Sequence, residues 1–176
     1  MRWRATSIVR YAPHSRFAAH THGGGEEFLV LDGVFQDEHG DYPTGTYVRN
    51  PPTSSHTPGS EPGCTSCCSS TRMTGRQCAS RHLRPFFRPA PALPGVEFVL
   101  LERWAPGIDI TVPLPGGIEL LVLDGSFIEG GEEFTRLSWL RLPADATLQV
   151  TAGRGGCKVW VKSGRLAPEP RLPTAD

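Results

Sequence analysis

The sequence predicts an all-β chain built from two copies of one barrel-forming unit. Three observations carry that reading. The run Leu29-Val30-Leu31-Asp32-Gly33 recurs as Leu121-Val122-Leu123-Asp124-Gly125, and matching residues flank both copies in the same order. Short β-branched and aromatic runs alternate with turn residues, and the 20 glycines and 17 prolines are spread along the chain. No segment keeps a helical period over three turns.

The repeat is built from several matches. Tyr11-Ala12-Pro13 corresponds to Trp104-Ala105-Pro106, Tyr47-Val48-Arg49 to Trp139-Leu140-Arg141, Pro51 to Pro143, and Gly63-Cys64 to Gly156-Cys157. A one-residue gap near the glycine turn reconciles the slightly different offsets. In the first copy, Ser7 to Tyr11 reads as a strand. Phe28 to Leu31 reads as another, ended by a hairpin turn at Asp32-Gly33. Asp37 to Asp41 is a further turn, and Thr46 to Arg49 is a strand stopped by Pro51-Pro52. In the second copy, Ile108 to Val112, Leu120 to Leu123, Leu137 to Leu142, Thr147 to Thr151 and Cys157 to Val161 read the same way. Closure of such strands into barrels hides their edges.

Composition narrows the function. Lys plus Arg and Asp plus Glu are both 18, so no basic excess points to nucleic acid. No apolar run is long enough to span a membrane, and nothing apolar follows Met1-Arg2-Trp3-Arg4 as in a signal peptide. The expected setting is cytoplasmic, with reduced thiols.

The chemistry-bearing stretch is His20-Thr21-His22-Gly23-Gly24-Gly25-Glu26, with His56 following Pro51-Pro52-Thr53-Ser54-Ser55. Residues two apart on a strand share a face, so His20 and His22 can point into one interior. The glycines allow a tight turn that starts the next strand at Glu26. Neutral imidazoles with a carboxylate suit zinc, iron(II), manganese, nickel or copper.

The order and spacing of His20, His22, Glu26 and Gly33, then of Gly45, Pro51 and His56, resemble the two sequence motifs of cupins. His14 and Thr53 stand at turn positions where glycines are usual. Thr6 to Pro13, Glu26 to Phe35, Asp37 to Tyr42 and Arg49 to Pro52, with Leu101 to Trp104 and Trp160 to Lys162, resemble the ChrR-like cupin family more closely. The resemblance implies tandem cupin (jelly-roll, double-stranded β-helix) barrels and one divalent metal held by His20, His22, Glu26 and His56. Zinc is the expected metal, with iron(II) or manganese as alternatives.

The resemblance also implies a regulatory or sensor-type role without the helical domain of ChrR-type anti-sigma factors, and a small-molecule ligand in the first barrel. A homodimer is the expected assembly. The same ligand set serves iron-dependent dioxygenases acting on a diketone or aromatic ketone, which is the second reading. A vestigial structural cupin is the third. The family usually carries a further strand or two before Thr6.

In the second copy the ligands align with Pro113, Pro115, Ile118 and Leu148, none of which can bind a metal through its side chain. The expected organisation is a metal-bearing unit over 1–64, an irregular linker over 65–94 that is either frame-shifted or divergent, a degenerate unit over 95–168 and a tail over 169–176. Cys64, at the end of the first unit, and Cys67, Cys68 and Cys78 in the linker cluster near His82, but the segment is polar and lacks a strand pattern. Glu27 reads as a surface residue, His39 as a solvated turn residue, and Arg49 and Arg141 as members of a shared structural ion pair. Tyr11, Phe28 and Tyr47 read as aromatic core.

Overall fold

A computed structural model describes residues 4–71, 79–84 and 97–164. The described residues form strands and turns with no helix, and the chain divides into two compact units, Met1–Gly75 and Arg76–Asp176. The first unit contains β1 (Arg4–Tyr11), β2 (Ser15–Arg16), β3 (His20–Thr21), β4 (Glu26–Asp37), β5 (Gly40–Pro43), β6 (Tyr47–Asn50), β7 (Ser55–His56), β8 (Gly59–Ser60) and β9 (Cys64–Thr71). Its main sheet runs β1-β9-β4-β8-β2, with β5 and β6 also on β4, and β3 pairs with β7.

Asp32-Gly33 is not a hairpin turn. β4 runs unbroken through it, and the register on β9 shifts between Val30 and Asp32. Gly33 takes φ 74°, a left-handed conformation that a glycine adopts without a steric penalty. The result is a bulge that bends the strand. The first half of β4 pairs with β6 and β9, and its second half pairs with β5 and β8. Asp-Gly suits bulges and hairpin turns alike, so the dipeptide alone misleads.

The expected irregular segment after Cys64 is instead a strand. β9 pairs along its whole length with β1, from Tyr11↔Cys64 to Arg4↔Thr71, and also with β4. Its register copies that of the second unit, where Trp104 pairs with Cys157 and Gly125 with Cys157. Ser66 and Cys68 occupy the inward row that Val159 and Val161 fill in the second unit, which is why the strand was illegible as an apolar pattern. Hydrogen-bond ladders on both sides hold a central strand of small side chains. Cys64 and Cys67 lie on opposite faces of it, so their C-x-x-C spacing cannot converge on one ion. Cys78 lies outside the described residues.

Glu27 points away from Glu26, as expected, but it is buried. Leu29, Cys67 and Ser69 on the same outer face are buried too, so that face is covered. Glu27 accepts a hydrogen bond from the hydroxyl of Tyr47 and pairs in register with Arg49. Tyr47 therefore belongs to this outer polar group, whereas Phe28 joins the inner core. The second unit repeats the arrangement, with Arg141 Nη1 3.6 Å from Glu119 Oε1.

The second unit contains β10 (Ala79–Arg84), β11 (Glu97–Trp104), β12 (Asp109–Leu114), β13 (Ile118–Glu129), β14 (Glu132–Phe134), β15 (Trp139–Leu142) and β16 (Ala146–Gly164). β10 lies inside the expected linker and pairs in parallel with the edge of β11. β16 unites the two strands expected at Thr147 to Thr151 and Cys157 to Val161. The units share their backbone singularities. His14 and Gly107, Gly45 and Leu137, and Thr53 and Asp145 all have positive φ at matching sites. His14 and Thr53 thus stand where the backbone favours glycine.

The inner face of the second unit is apolar, built on Trp104, Val112, Leu114, Ile118, Leu120, Phe127, Leu148 and Val159. The first unit's buried cluster is smaller: Phe28, Val30, Phe35 and Cys64, with Tyr11, Tyr42, Val48 and Cys68 against it.

Glu102 is buried in register with Val159, and Trp104 Nε1 donates to its carboxylate at 2.9 Å. Burial pushes its carboxyl up to about 7, against the smaller opposing effect of the Trp104 hydrogen bond. The folded chain therefore holds a proton that the unfolded chain releases above its ordinary value of 4.5. Stability from this group is complete below that value and is lost as pH rises through about 7. Urea unfolding at pH 5 and pH 8 should show a decline of up to about 3 kcal/mol that Glu102→Gln removes.

Candidate metal centre

Three short elements bring the histidines together. His20 and His56 are cross-strand partners in the β3–β7 ladder, beside Thr21 and Ser55. His22 directly follows β3, two residues after His20. Its backbone N–H donates to Ser54 at 2.9 Å, and its carbonyl accepts from Thr53 at 2.8 Å. Gly25 closes the turn with φ 87°, and a Cβ there would stand 3.0 Å from the Asn50 carbonyl oxygen. Glu26 then opens β4 opposite Asn50.

The three rings form a nearly equilateral triangle, with centroids 4.8, 4.9 and 4.8 Å apart. One ligand nitrogen of each lies within 4.8 Å of the others. Glu26 Oε2 is 3.4 Å from His22 Nε2 and 3.7 Å from His56 Nε2, and accepts from Asn50 Nδ2 at 3.4 Å. All four sequence-predicted residues thus lie at one place. His56 is buried, His22 half-buried and His20 exposed, so the group meets solvent on the His20 side.

The free nitrogens fit a cation. His22 Nε2 is buried and makes no hydrogen bond, and burial holds its ring below the ordinary pKa of 6.5, opposed by the nearby Glu26 charge. A buried imidazole nitrogen left unpaired is costly unless something accepts its lone pair. His20 Nδ1 lies 3.3 Å from the Ala18 carbonyl oxygen, and His56 Nδ1 lies 3.2 Å from Asp37 Oδ2. Each contact ties up Nδ1 and frees Nε2. Donors about 2.1 Å from one ion stand about 3.0–3.4 Å apart at ordinary coordination angles, close to the carboxylate–imidazole distances here.

The second unit lacks these donors. Strand pairing also corrects its alignment. The pair Val112↔Leu148 matches His20↔His56, so His20 corresponds to Val112 and His22 to Leu114, one residue before the expected Pro113 and Pro115. The gap between the copies therefore falls between His14 and His20. Val112, Leu114, Ile118 and Leu148 are all buried and apolar, and they fill the space that the ligands occupy in the first unit.

Residues 2–74 match the family model described as the ChrR cupin-like domain. The family match covers nearly the whole first unit, Met1–Gly75. The match extends through the whole of β9, beyond the expected boundary at residue 65. No curated protein sequence matches the chain. Solved structures reproduce the cupin fold at low identity. A candidate dioxygenase from Nostoc punctiforme has a TM-score of 0.70 at 13% identity, covering 96% of this chain and 74% of its own. A cupin 2 conserved barrel domain protein from Leptotrichia buccalis has a TM-score of 0.62 at 12% identity, covering 91% and 83%. Salicylate 1,2-dioxygenase from Pseudaminobacter salicylatoxidans has a TM-score of 0.60 at 11% identity, covering 91% and 70%. At these identities the likeness is one of fold. Among the described residues no helix is long and apolar enough to cross a membrane.

Sequence reasoning passed over Asp37, whose carboxylate touches His56, and treated it only as a turn residue. The repeat held a signal: Tyr42, which also contacts Asp37, stands where the second copy has Phe134.

Proposed function

We propose that this ChrR-like two-cupin protein binds a single divalent metal through His20, His22, Glu26 and His56, and uses it as a regulatory or sensor centre. The observation that carries the reading is the convergence of three imidazoles and one carboxylate in the unit that matches the family, with the buried Nε2 of His22 making no hydrogen bond. Zinc is the proposed metal, because three histidines and a carboxylate suit it. When bound, such a cation would supply Lewis acidity and an open position for a small-molecule ligand. The chain's own part is to orient the rings and keep His22 neutral. Cys64 and Cys68 face the same interior, but burial raises both thiols, Cys68 to about 11. A protonated thiol is a poor nucleophile, which favours the metal as the responsive group.

The second reading is an iron-dependent dioxygenase, supported by the fold shared with proteins described as dioxygenases. Metal analysis of protein purified without added metal, followed by oxygen uptake of iron(II)-loaded protein with β-diketones and aromatic ketones, separates the two. The sensor reading predicts bound zinc and no uptake. Turnover of any of these substrates would replace it with the oxygenase reading.

A further inference from the structure

We propose that Asp37, braced by Tyr42, is a positioning residue that holds His56 in the tautomer presenting Nε2 to the metal site. The inference rests on the metal reading above. Asp37 ends β4 and its side chain is 3% exposed, as buried as that of His56 at 4%. Oδ2 lies 3.2 Å from His56 Nδ1. An ionised carboxylate only accepts, so this contact requires the hydrogen on Nδ1 and leaves the lone pair on Nε2. Nε2 points the other way, 3.7 Å from Glu26 Oε2.

The carboxylate is itself fixed. Oδ1 accepts from the backbone N–H of His39 at 2.8 Å and from the Tyr42 hydroxyl at 3.2 Å. The ring of Phe35 lies 5.8 Å from that of His56, tilted 32° to it. Phe35 and Tyr42 are cross-strand partners, and Asp37 follows Phe35 on the same face of β4.

The second unit supplies an internal control. Its hairpin keeps the same register, with Phe127 opposite Phe134. Leu148 replaces His56, Phe134 replaces Tyr42 and Glu129 replaces Asp37. The hairpin therefore forms without the Tyr–Asp pair, and that pair accompanies the histidine it contacts. An acceptor on the far nitrogen of a metal-binding imidazole raises its basicity, and losing one typically costs about 10–100-fold in metal affinity.

The test has two readouts. Long-range proton–nitrogen correlation spectra of the metal-free protein at pH 8 should show His56 protonated on Nδ1, and Asp37→Ala should shift it toward the other tautomer. Zinc competition with a chromophoric chelator should show a 10–100-fold loss for Asp37→Ala. The loss should be smaller for Asp37→Asn, which keeps an acceptor oxygen, and for Tyr42→Phe. Thermal melts report whether each variant folds. Should Asp37→Ala fail to fold, the wild-type tautomer and the Tyr42→Phe affinity still decide. Protonation of wild-type His56 on Nε2, or zinc affinity of folded Asp37→Ala within threefold of wild type, would overturn the proposal. Failure of the wild type to bind zinc would overturn the metal reading with it, and would show before any variant is made.

Discussion

Replacing Gly33 with alanine is expected to unfold the first unit. The new Cβ would stand 2.1 Å from the Gly63 carbonyl oxygen and 2.9 Å from Cys64 Cα. Both are backbone atoms of the adjoining segment, so no side-chain rotation relieves the collision. The left-handed φ of 74° adds strain of about 1–2 kcal/mol for a residue with a Cβ. Overpacking typically adds about 1–3 kcal/mol. Together they approach the whole stability of a small unit, about 5 kcal/mol at the lower end. Gly125→Ala meets the same geometry, 2.1 Å from the Gly156 carbonyl oxygen, but in a unit with the larger apolar core. Amide spectra of Gly33→Ala should lose the dispersed resonances of residues 4–71 and keep those of 97–164. A variant that melts like the wild type would show that β4 does not need its bulge.

The second large effect is on metal binding. His22→Ala is expected to weaken zinc binding on the order of a hundredfold. Apparent binding free energies of about 10–16 kcal/mol at structural zinc sites, shared among four ligands, allot roughly 3 kcal/mol to each. The metal-free variant should lose little stability, because the deleted nitrogen makes no hydrogen bond in the folded chain. Chelator competition reads the first effect and thermal melting without metal reads the second. Unchanged zinc affinity would remove His22 from the site.

The repeat and the four ligand types were legible in the sequence because each is local. His20 and His22 need only strand alternation to share a face. The same logic failed where a residue's role depends on its neighbours in space. Asp32-Gly33 supports a turn or a bulge, and the partner strands β9 and β8 select the bulge. β9 carries Ser66 and Cys68 in place of valines, so nothing apolar announced it, yet two flanking ladders hold it. Glu27 looked like a surface residue because carboxylates usually are, but its face of β4 is covered and Tyr47 donates to it. Asp37 sits 19 positions from His56, and only the fold brings them into contact.

The central claim is one metal per chain, bound in the first unit alone. Elemental analysis of the full chain, loaded with zinc and desalted, tests it directly. The structure predicts one equivalent in the wild type and none when His20 and His22 are both replaced by alanine. Two equivalents in the wild type, or one retained in the double variant, would contradict it.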